Sequence, residues 1–363
     1  MPIFTGETPI KKNIASGELR SLYVFCGDEP YLKDIYVRRL IAGAVTPGLE
    51  TFNLKKLDGA ECDASDILAA ADQMPLMGGK NCCVVRNFPL VKLNAADSAA
   101  LRDYVAVVPD TTTLIFLLDD DSFPPKQSRD ETAEENKDKE KEKSAAKTRK
   151  EMMEAFLQYA FIAKLDRYDR QSLIRLLVKG AGSRGNTLSP QNAARLVDSC
   201  GNDMHTLLNE LNKVSAYAAG GEITAEIIDT VATKTLEATA FEIADNLFAG
   251  NTDRAMQALE ILLEQKNPPQ VILGSLIFPF IDIYRVKLAE KYHQSNAALM
   301  KAFSYTSAFR LDKARKNSRK ISESGIKTCL SVLDNADMCL KSRGGSDIIT
   351  LEETLVKLGA VIR

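Results

Sequence analysis

The stretch LYVFCGDEPYLKD, residues 22 to 34, decides the fold of the first part of this chain. Its first five residues form a short apolar run typical of a buried strand, and the residues after them turn into a helix-like segment. Further strand-like runs, separated by helix-like segments, follow at Phe52 to Leu57, Cys82 to Arg86, Leu114 to Leu118 and Phe161 to Leu165. This alternation is typical of a covered, mainly parallel sheet, so residues 1 to 166 are predicted to form an α/β domain.

After Leu165 the strand signal stops, and the remaining chain predicts helices separated by polar or glycine-containing turns. A small helical domain is expected at residues 167 to 234 and a larger one at residues 235 to 363. Pro279 lies inside an otherwise helical run and should kink or split that helix. The predicted fold class is therefore α/β plus all-α, in three domains.

Residues 126 to 150 interrupt the first domain with many charged residues and no apolar residue larger than alanine. Such a segment cannot contribute a face to a hydrophobic core, so it is interpreted as an insertion. A solvated or frayed helix is the favoured interpretation. A regulatory or binding arm is the alternative.

The composition, 363 residues with 45% hydrophobic, suits two or three folded domains. The formal net charge of −2 gives no global basic field for nucleic acid, so a basic contact would have to be local. The longest apolar run, Val271 to Tyr284, is shorter than the ~18 residues that a membrane span needs. Met1 to Lys12 lacks the apolar centre of an export signal. We expect a cytoplasmic protein that does not contact membranes.

The seven cysteines are scattered without a CxxC pair, and only two histidines could join them at a metal. Neither a zinc site nor a disulfide framework is predicted. Cys26, Cys82 and Cys83 fall in strand-like runs, where a reduced thiol behaves as a small buried hydrophobe.

The turn after the first long strand stands where a nucleotide-binding loop would stand. Such a loop needs the pattern G-x-x-x-x-G-K-[ST], in which backbone N–H groups surround phosphates and the lysine reaches the outer ones. Gly27 and Lys33 keep their places, but Leu32 replaces the second glycine and Asp34 replaces the hydroxyl residue. The intervening Asp-Glu-Pro adds two negative charges and removes one N–H donor. We predict a degenerate nucleotide loop, no catalysis and no cofactor.

A P-loop-type ATPase with an unusual loop remains the alternative function. Gly27, Lys33 and the acidic run Asp119 to Asp121 motivate it. Against it, the third strand should carry the Mg²⁺-organising acid but ends in Arg86 followed by Asn87. No Ser/His/Asp arrangement supports another enzyme class.

Large apolar residues occur in the turn MPLMGGK, residues 74 to 80, which lies between a predicted helix and the third strand. Leu76 and Met77, preceded by Pro75, form an apolar pair of the kind that can fill a pocket on a partner. Burial of each side chain would contribute about 1.5–3 kcal/mol. The alternative, that both side chains fold back onto the sheet edge, is equally compatible with the sequence.

A basic cluster lies near the C-terminal end, where one acidic residue, Asp312, opposes six basic ones: Arg310, Lys313, Arg315, Lys316, Arg319 and Lys320. On a helix Lys313, Lys316 and Lys320 would share one face. Such a face can contact a phosphate backbone without reading base sequence. A solvated helix face is the favoured interpretation of the pattern.

Several segments together resemble the delta subunit family of the bacterial DNA polymerase III clamp loader. They follow one another in order along nearly the whole chain: Tyr23 to Leu32, Phe52 to Leu54, Leu57 to Gly59, Met74 to Gly78, Val84 to Arg86, Gly201 to Asp203, Leu207 to Lys213 and Phe241 to Leu247. The resemblance implies an AAA+-like N-terminal domain without ATPase activity, a helical lid domain and a helical collar domain. It does not fit the related delta-prime subunit, whose zinc-binding cysteines and Ser-Arg-Cys motif this chain lacks.

The resemblance also implies partners. They are the beta sliding clamp, the ATPase subunits of the gamma/tau type and delta-prime in a five-subunit ring, and primed DNA reached through the complex. In that family the apolar loop before the third strand enters a hydrophobic pocket of the clamp and helps to open it, which by position assigns clamp binding to Leu76 and Met77. Family members commonly have phenylalanine at the second place, and a flexible thioether can fill such a pocket too. The basic cluster would lie in the collar, facing DNA or a neighbouring subunit.

Overall fold

The structure is a computed structural model that describes residues 3–90, 93–118, 139–303, 305, 308–342 and 346–363. The chain divides into two compact units, Met1–Tyr168 and Asp169–Arg363. The predicted three-domain division, with its boundary between residues 234 and 235, stays a prediction.

The first unit is built on a six-stranded sheet in the order β1-β6-β2-β5-β4-β3, with parallel neighbours throughout. The strands are β1 (Ile3–Thr5), β2 (Leu22–Cys26), β3 (Leu54–Asp58), β4 (Asn81–Arg86), β5 (Thr112–Leu117) and β6 (Phe161–Lys164). Five of them were predicted, and the α/β class of this part of the chain is confirmed. The three-residue β1 was missed because it is too short to show a pattern, and its pairing of Ile3 with Ile162 is a contact between distant parts of the chain.

Helices cover both faces of this sheet: α1 (Glu7–Ala15), α2 (Pro30–Ala44), α3 (Glu50–Asn53), α4 (Ala64–Ala71), α5 (Ala95–Val105) and α6 (Lys139–Tyr159). Alternate residues of β2 contribute to the two faces. Leu22, Val24 and Cys26 join the core formed with α4, α5 and α6, while Tyr23 and Phe25 are buried on the other face. This two-sided burial is why the central strands have continuous apolar sequences.

The cysteines of the central strands are buried as predicted. Cys26, Cys82 and Cys83 are free thiols with no exposed surface. Burial raises the pKa of each to about 12, so these thiols are neutral near pH 7.

The charged insertion continues into a core helix. Its residues 139 to 150 form the first half of α6, so the helical interpretation holds there, while residues 126 to 138 lie outside the described ranges. The second half of α6 buries Met152 and Phe156 against the sheet. The end of the charged pattern at residue 150 is therefore not the end of a structural element.

The second unit is helical, as predicted. Its helices are α7 (Arg170–Gly182), α8 (Pro190–Cys200), α9 (Met204–Ala218), α10 (Ala225–Val231), α11 (Leu236–Phe248), α12 (Thr252–Glu264), α13 (Pro269–Lys291), α14 (Asn296–Phe303), α15 (Ala308–Ser318), α16 (Glu323–Lys341) and α17 (Asp347–Ile362). One core cluster joins α11 to α17 and includes Ile243, Leu276, Leu333 and Leu355. Among the described helices of the chain, none is long and apolar enough to cross a membrane.

Pro279 does not split its helix. Helix α13 runs unbroken from Pro269 to Lys291 with Pro279 buried in its interior, so that part of the prediction is wrong. Proline removes one backbone hydrogen bond. The neighbouring Leu276 and Phe280 are both buried in the core of this unit, and their packing holds the helix across the interruption.

Candidate protein-docking site

The loop between α4 and β4 presents apolar side chains to solvent. Met74 and Met77 are each 83% exposed and Leu76 is 45% exposed. Large apolar side chains at such exposure are unusual on an isolated soluble surface when they occur together. Of the two interpretations of this loop, folding back onto the sheet edge is wrong for Met77.

Asn53 holds the loop in place from the end of α3. Its Oδ1 accepts the N–H of Leu76 at 2.7 Å, and its Nδ2 donates to the carbonyls of Leu76 at 3.0 Å and of Gly78 at 3.3 Å. The Asn53 side chain is buried. Sequence reasoning missed this residue, which it placed within a strand, because the contact joins positions 23 residues apart. A buried asparagine beside a turn rich in main-chain polar groups is the signal that could have found it.

The backbone of the loop is fixed in a conformation that few residues adopt. Met77 has a φ of 55°, followed by Gly78 at 100° and Gly79 at 73°. A left-handed conformation costs a residue with a side chain about 1–2 kcal/mol. A Cβ on Gly79 would lie 2.8 Å from Oγ1 of Thr46, so a glycine is required there.

The chain after the loop is also anchored. The Lys80 N–H donates to the carbonyl of Ala44 at 2.8 Å, and its Nζ donates to the carbonyl of Leu19 at 3.0 Å. Together with the bonds from Asn53, these contacts fix both ends of the segment that carries Leu76 and Met77. Less conformational entropy remains to be lost on binding.

The predicted degenerate nucleotide loop is filled by another part of the chain. Gly27 has a φ of 96°, and a Cβ there would lie 2.3 Å from the carbonyl oxygen of Leu165. The N–H of Glu29 donates to that same carbonyl at 3.0 Å. Oδ1 of Asp28 accepts a hydrogen bond from the backbone N–H of Arg167 at 2.7 Å. The backbone carbonyl of Asp28 accepts a second one from Nε of Arg167 at 3.2 Å. The turn therefore binds the segment that follows β6.

The N-terminus of α2 carries an anion of its own. Glu29 caps the helix, and its Oε1 accepts the N–H of Tyr31 at 3.1 Å. Pro30 supplies no N–H donor at the first helical position. Only 3% of Glu29 is exposed, so its carboxylate occupies the place where a phosphate would meet the helix dipole.

The other residues of the degenerate loop also serve contacts within the fold. Lys33 is buried, and its Nζ donates to the carbonyl of Leu118 at 3.1 Å. Leu32 is buried in the core. Asp34, which stands at the hydroxyl position, pairs with Nη2 of Arg86 at 2.7 Å. The lysine side chain therefore points to the end of β5.

The basic cluster does not form one helical face. Helix α15 ends at Ser318, so Lys320 lies beyond it and cannot share its face with Lys313 and Lys316, contrary to the prediction. Four members have partners within the second unit. Arg310 pairs with Asp282, Lys313 with Asp245 at 3.0 Å, Arg315 with Glu290 at 3.4 Å and with Asn296 at 2.7 Å, and Lys320 with the carbonyl of Phe248 at 3.0 Å. Lys316 and Arg319 are exposed, and neither forms an ion pair with any residue that the structure describes.

The acidic run Asp119 to Asp121 lies outside the described residues. Within the described ranges, no group of three or more His, Cys, Asp or Glu side chains is arranged to hold a metal ion.

Two protein-family models match this chain. The model of the DNA polymerase III delta subunit matches residues 23–141, and the model of the C-terminal domain of that subunit matches residues 237–358. The chain belongs to the DNA polymerase III delta subunit family. The first match contains the exposed loop, and the second covers most of the region predicted as the collar.

Individual proteins agree with membership in the delta subunit family. DNA polymerase III subunit delta of Bacillus subtilis (strain 168) is 22% identical over 357 residues, which cover 96% of this chain and 95% of the relative. The solved structure of the Bacillus subtilis DNA clamp loader delta protein matches with a TM-score of 0.64 at 19% identity, over 97% of this chain and 99% of that one. The structural likeness confirms the fold class predicted from the sequence.

Proposed function

We propose that this chain is a non-catalytic clamp-loader subunit that binds the beta sliding clamp through Leu76 and Met77. In this proposal it helps to open the clamp for loading onto primed DNA. The observation that carries it is the exposed apolar pair on a loop that Asn53 fixes by three hydrogen bonds. The choice of the sliding clamp as partner is supported by the family resemblance.

The free energy for this function would come from binding. Burial of the surface that Leu76 and Met77 still expose, 45% and 83%, contributes about 2–4 kcal/mol in total if both side chains enter an apolar pocket. A protein shifts a conformational equilibrium only by its difference in affinity for the two states. We call Leu76 and Met77 the wedge. The wedge would open the clamp only to the extent that the pocket of the clamp fits these two side chains better in the open form.

ATP hydrolysis is assigned to partner subunits of the gamma/tau type, with delta-prime completing the ring. The support is the occupied turn: Glu29 caps the helix that would receive phosphate, and Lys33 donates to Leu118. The alternative function, a P-loop-type ATPase, is tested by equilibrium binding of labelled ATP to the isolated chain. Micromolar, Mg²⁺-dependent binding would favour that alternative, and we expect none.

Contact of the basic cluster with DNA or a neighbouring subunit is proposed for Lys316 and Arg319. These two exposed cations lack an ion pair among the described residues, whereas Lys313, Arg315 and Lys320 are engaged within the unit. Non-specific contacts with phosphates weaken steeply with salt. A double replacement of Lys316 and Arg319 by alanine should therefore lower the salt dependence of DNA binding by the assembled complex.

The experiment for the proposed function is reconstitution from purified parts. The chain is mixed with the sliding clamp, the ATPase subunits and delta-prime, and assembly is followed by co-elution. We expect Leu76→Ala/Met77→Ala to join the ATPase subunits normally and to lose the clamp. A folded double variant that still carries the clamp at wild-type levels would refute the assignment of the wedge.

A further inference from the structure

Exposed apolar side chains of the first unit concentrate at one edge of its sheet. Among its described residues, the large apolar side chains that are exposed all lie shortly before a strand: Phe52 before β3, Met74, Leu76 and Met77 before β4, Val107 before β5 and Tyr159 before β6. In a parallel sheet all strands begin at the same edge. The loop with Leu76 and Met77 is therefore one part of a longer row of exposed apolar side chains, which runs along the end of the sheet where the strands begin.

Phe52 lies beside the apolar loop in space. Strands β3 and β4 are neighbours, and adjacent strands stand about 4.8 Å apart. Phe52 precedes Asn53, whose side chain bonds Leu76 at 2.7 and 3.0 Å. Since consecutive Cα atoms are about 3.8 Å apart, the backbone of Phe52 lies within about 10 Å of that of Leu76.

Phe52 is also held in place. The N–H of Phe52 donates to the carbonyl of Leu49 at 3.1 Å, and the N–H of Asn53 donates to the same carbonyl at 2.9 Å. Phe52 is nevertheless 56% exposed, so less than half of its surface is buried within the fold. The short helix α3 thus supplies both Asn53, which holds the loop in place, and an adjacent exposed aromatic ring, Phe52.

Two side chains are too few for a stable complex. Association must first offset the loss of translational and rotational freedom of the two partners, so two partly buried side chains alone do not account for micromolar affinity. A specific interface buries about 800 Å² on each partner. Full burial of an aromatic residue covers about 150–250 Å², of which Phe52 still exposes 56%, and aromatic residues are over-represented among those that dominate binding energy.

We propose that Phe52 is a third anchor of the docking surface, which with Leu76 and Met77 covers the starts of β3 and β4. This inference rests on the proposed function, because the occupant is the same partner, the sliding clamp. The surface on that partner must be apolar and wide enough to receive a ring beside the pocket for the wedge. Asn53 links the two parts of this surface, because it follows Phe52 in the chain and its side chain bonds the main chain of Leu76.

The test is a titration of purified clamp with the full chain and three variants. Phe52→Ala is expected to weaken binding about 5- to 30-fold, the fold-change that corresponds to about 1–2 kcal/mol for truncation of an anchor. Leu76→Ala/Met77→Ala tests the proposed function in parallel. Tyr217→Ala, which truncates an aromatic residue with 63% exposure on α9, is the matched control and should bind normally.

The outcomes separate the two proposals. If Phe52→Ala binds like wild type while the double variant is weakened, this inference is overturned and the proposed function stands. If neither variant is weakened, both fail. A second measurement needs no variant: oxidation of the Phe52 ring by hydroxyl radicals should fall several-fold when clamp is added to the wild-type chain. Unchanged oxidation of Phe52 in the complex would contradict the inference.

Discussion

The side chain of Asn53 bonds both main-chain polar groups of Leu76, accepting its N–H at 2.7 Å and donating to its carbonyl at 3.0 Å. This pairing fixes the residue that we propose inserts into a pocket of the sliding clamp. It makes the loop a rigid part of the sheet edge, in contrast to a tip that orders on binding. The consequence is that a buried residue outside the contact surface should control binding.

Asn53→Ala should reduce both stability and clamp binding. Loss of the side chain leaves main-chain groups of Leu76 and Gly78 without their partner, which costs about 1–3 kcal/mol where such groups stay buried. The free loop would then have to be ordered on binding, so we expect clamp affinity to fall about tenfold at a temperature where the variant is fully folded. Urea unfolding and a clamp titration measure the two effects.

The matched control for that prediction is Asn209→Ala. Asn209 lies on α9 in the second unit, and its Nδ2 is 3.1 Å from Nε2 of His205 in an exposed contact. Its replacement should leave clamp affinity unchanged. Equal affinities of Asn53→Ala and wild type would show that the asparagine does not position the wedge.

Gly27→Ala should destabilise the first unit more than Gly48→Ala does. Both glycines have a positive φ, 96° and 88°, so both replacements incur the left-handed penalty of about 1–2 kcal/mol. At Gly27 a Cβ would also lie 2.3 Å from the carbonyl oxygen of Leu165, whereas nothing lies within 4 Å at Gly48. Overpacking adds about 1–3 kcal/mol. Similar unfolding free energies for the two variants would contradict the close contact between this turn and the segment after β6.

Glu7 should make the stability of the chain sensitive to acid. Burial tends to raise the pKa of its carboxyl group, but hydrogen bonds from Lys11, Tyr168 and Tyr36 more than offset this and hold the pKa below its usual value of 4.5. A carboxyl group with a lowered pKa in the folded state stabilises the fold above its unfolded pKa. That contribution is lost as the pH falls through the folded value. Stability should therefore decline below about pH 4.5.

The comparison that isolates this effect is Glu7→Gln, followed by urea unfolding between pH 7 and pH 3. The variant should be less stable than wild type at pH 7, and the difference should shrink as the pH falls, because wild type loses the advantage of the charged carboxylate. A difference that stays constant over this range would mean that Glu7 does not titrate with a lowered pKa.

The central strands could be predicted from the sequence because both faces of the sheet are covered. Every residue of β2 and β5 is buried, and both strands are apolar apart from Thr112 and Thr113 at the start of β5. Strand β3, at the edge of the sheet, is harder to predict from the sequence because its residues are partly exposed. Its predicted start at Phe52 was wrong, because residues 50 to 53 form α3. The apolar pattern there reflects an exposed surface beside the strand.

The candidate site was predictable only in part. Leu76 and Met77 could be found because large apolar residues in a turn are an anomaly that local sequence displays. Asn53 could not, since its role depends on hydrogen bonds across the fold. The predicted basic face was wrong for a different reason. Its lysines are close together in the sequence, but Lys320 lies after the end of α15 and so cannot share a helical face with the others.

The most direct measurement is the affinity of the isolated chain for the purified sliding clamp, compared between wild type and Leu76→Ala/Met77→Ala. Val356→Ala, which truncates a side chain with 55% exposure on α17, serves as the control. We expect the double variant to keep the unfolding free energy of wild type and to bind about 30- to 1,000-fold more weakly, which corresponds to a loss of about 2–4 kcal/mol. A folded double variant with the affinity of wild type would contradict the assignment of clamp binding to Leu76 and Met77.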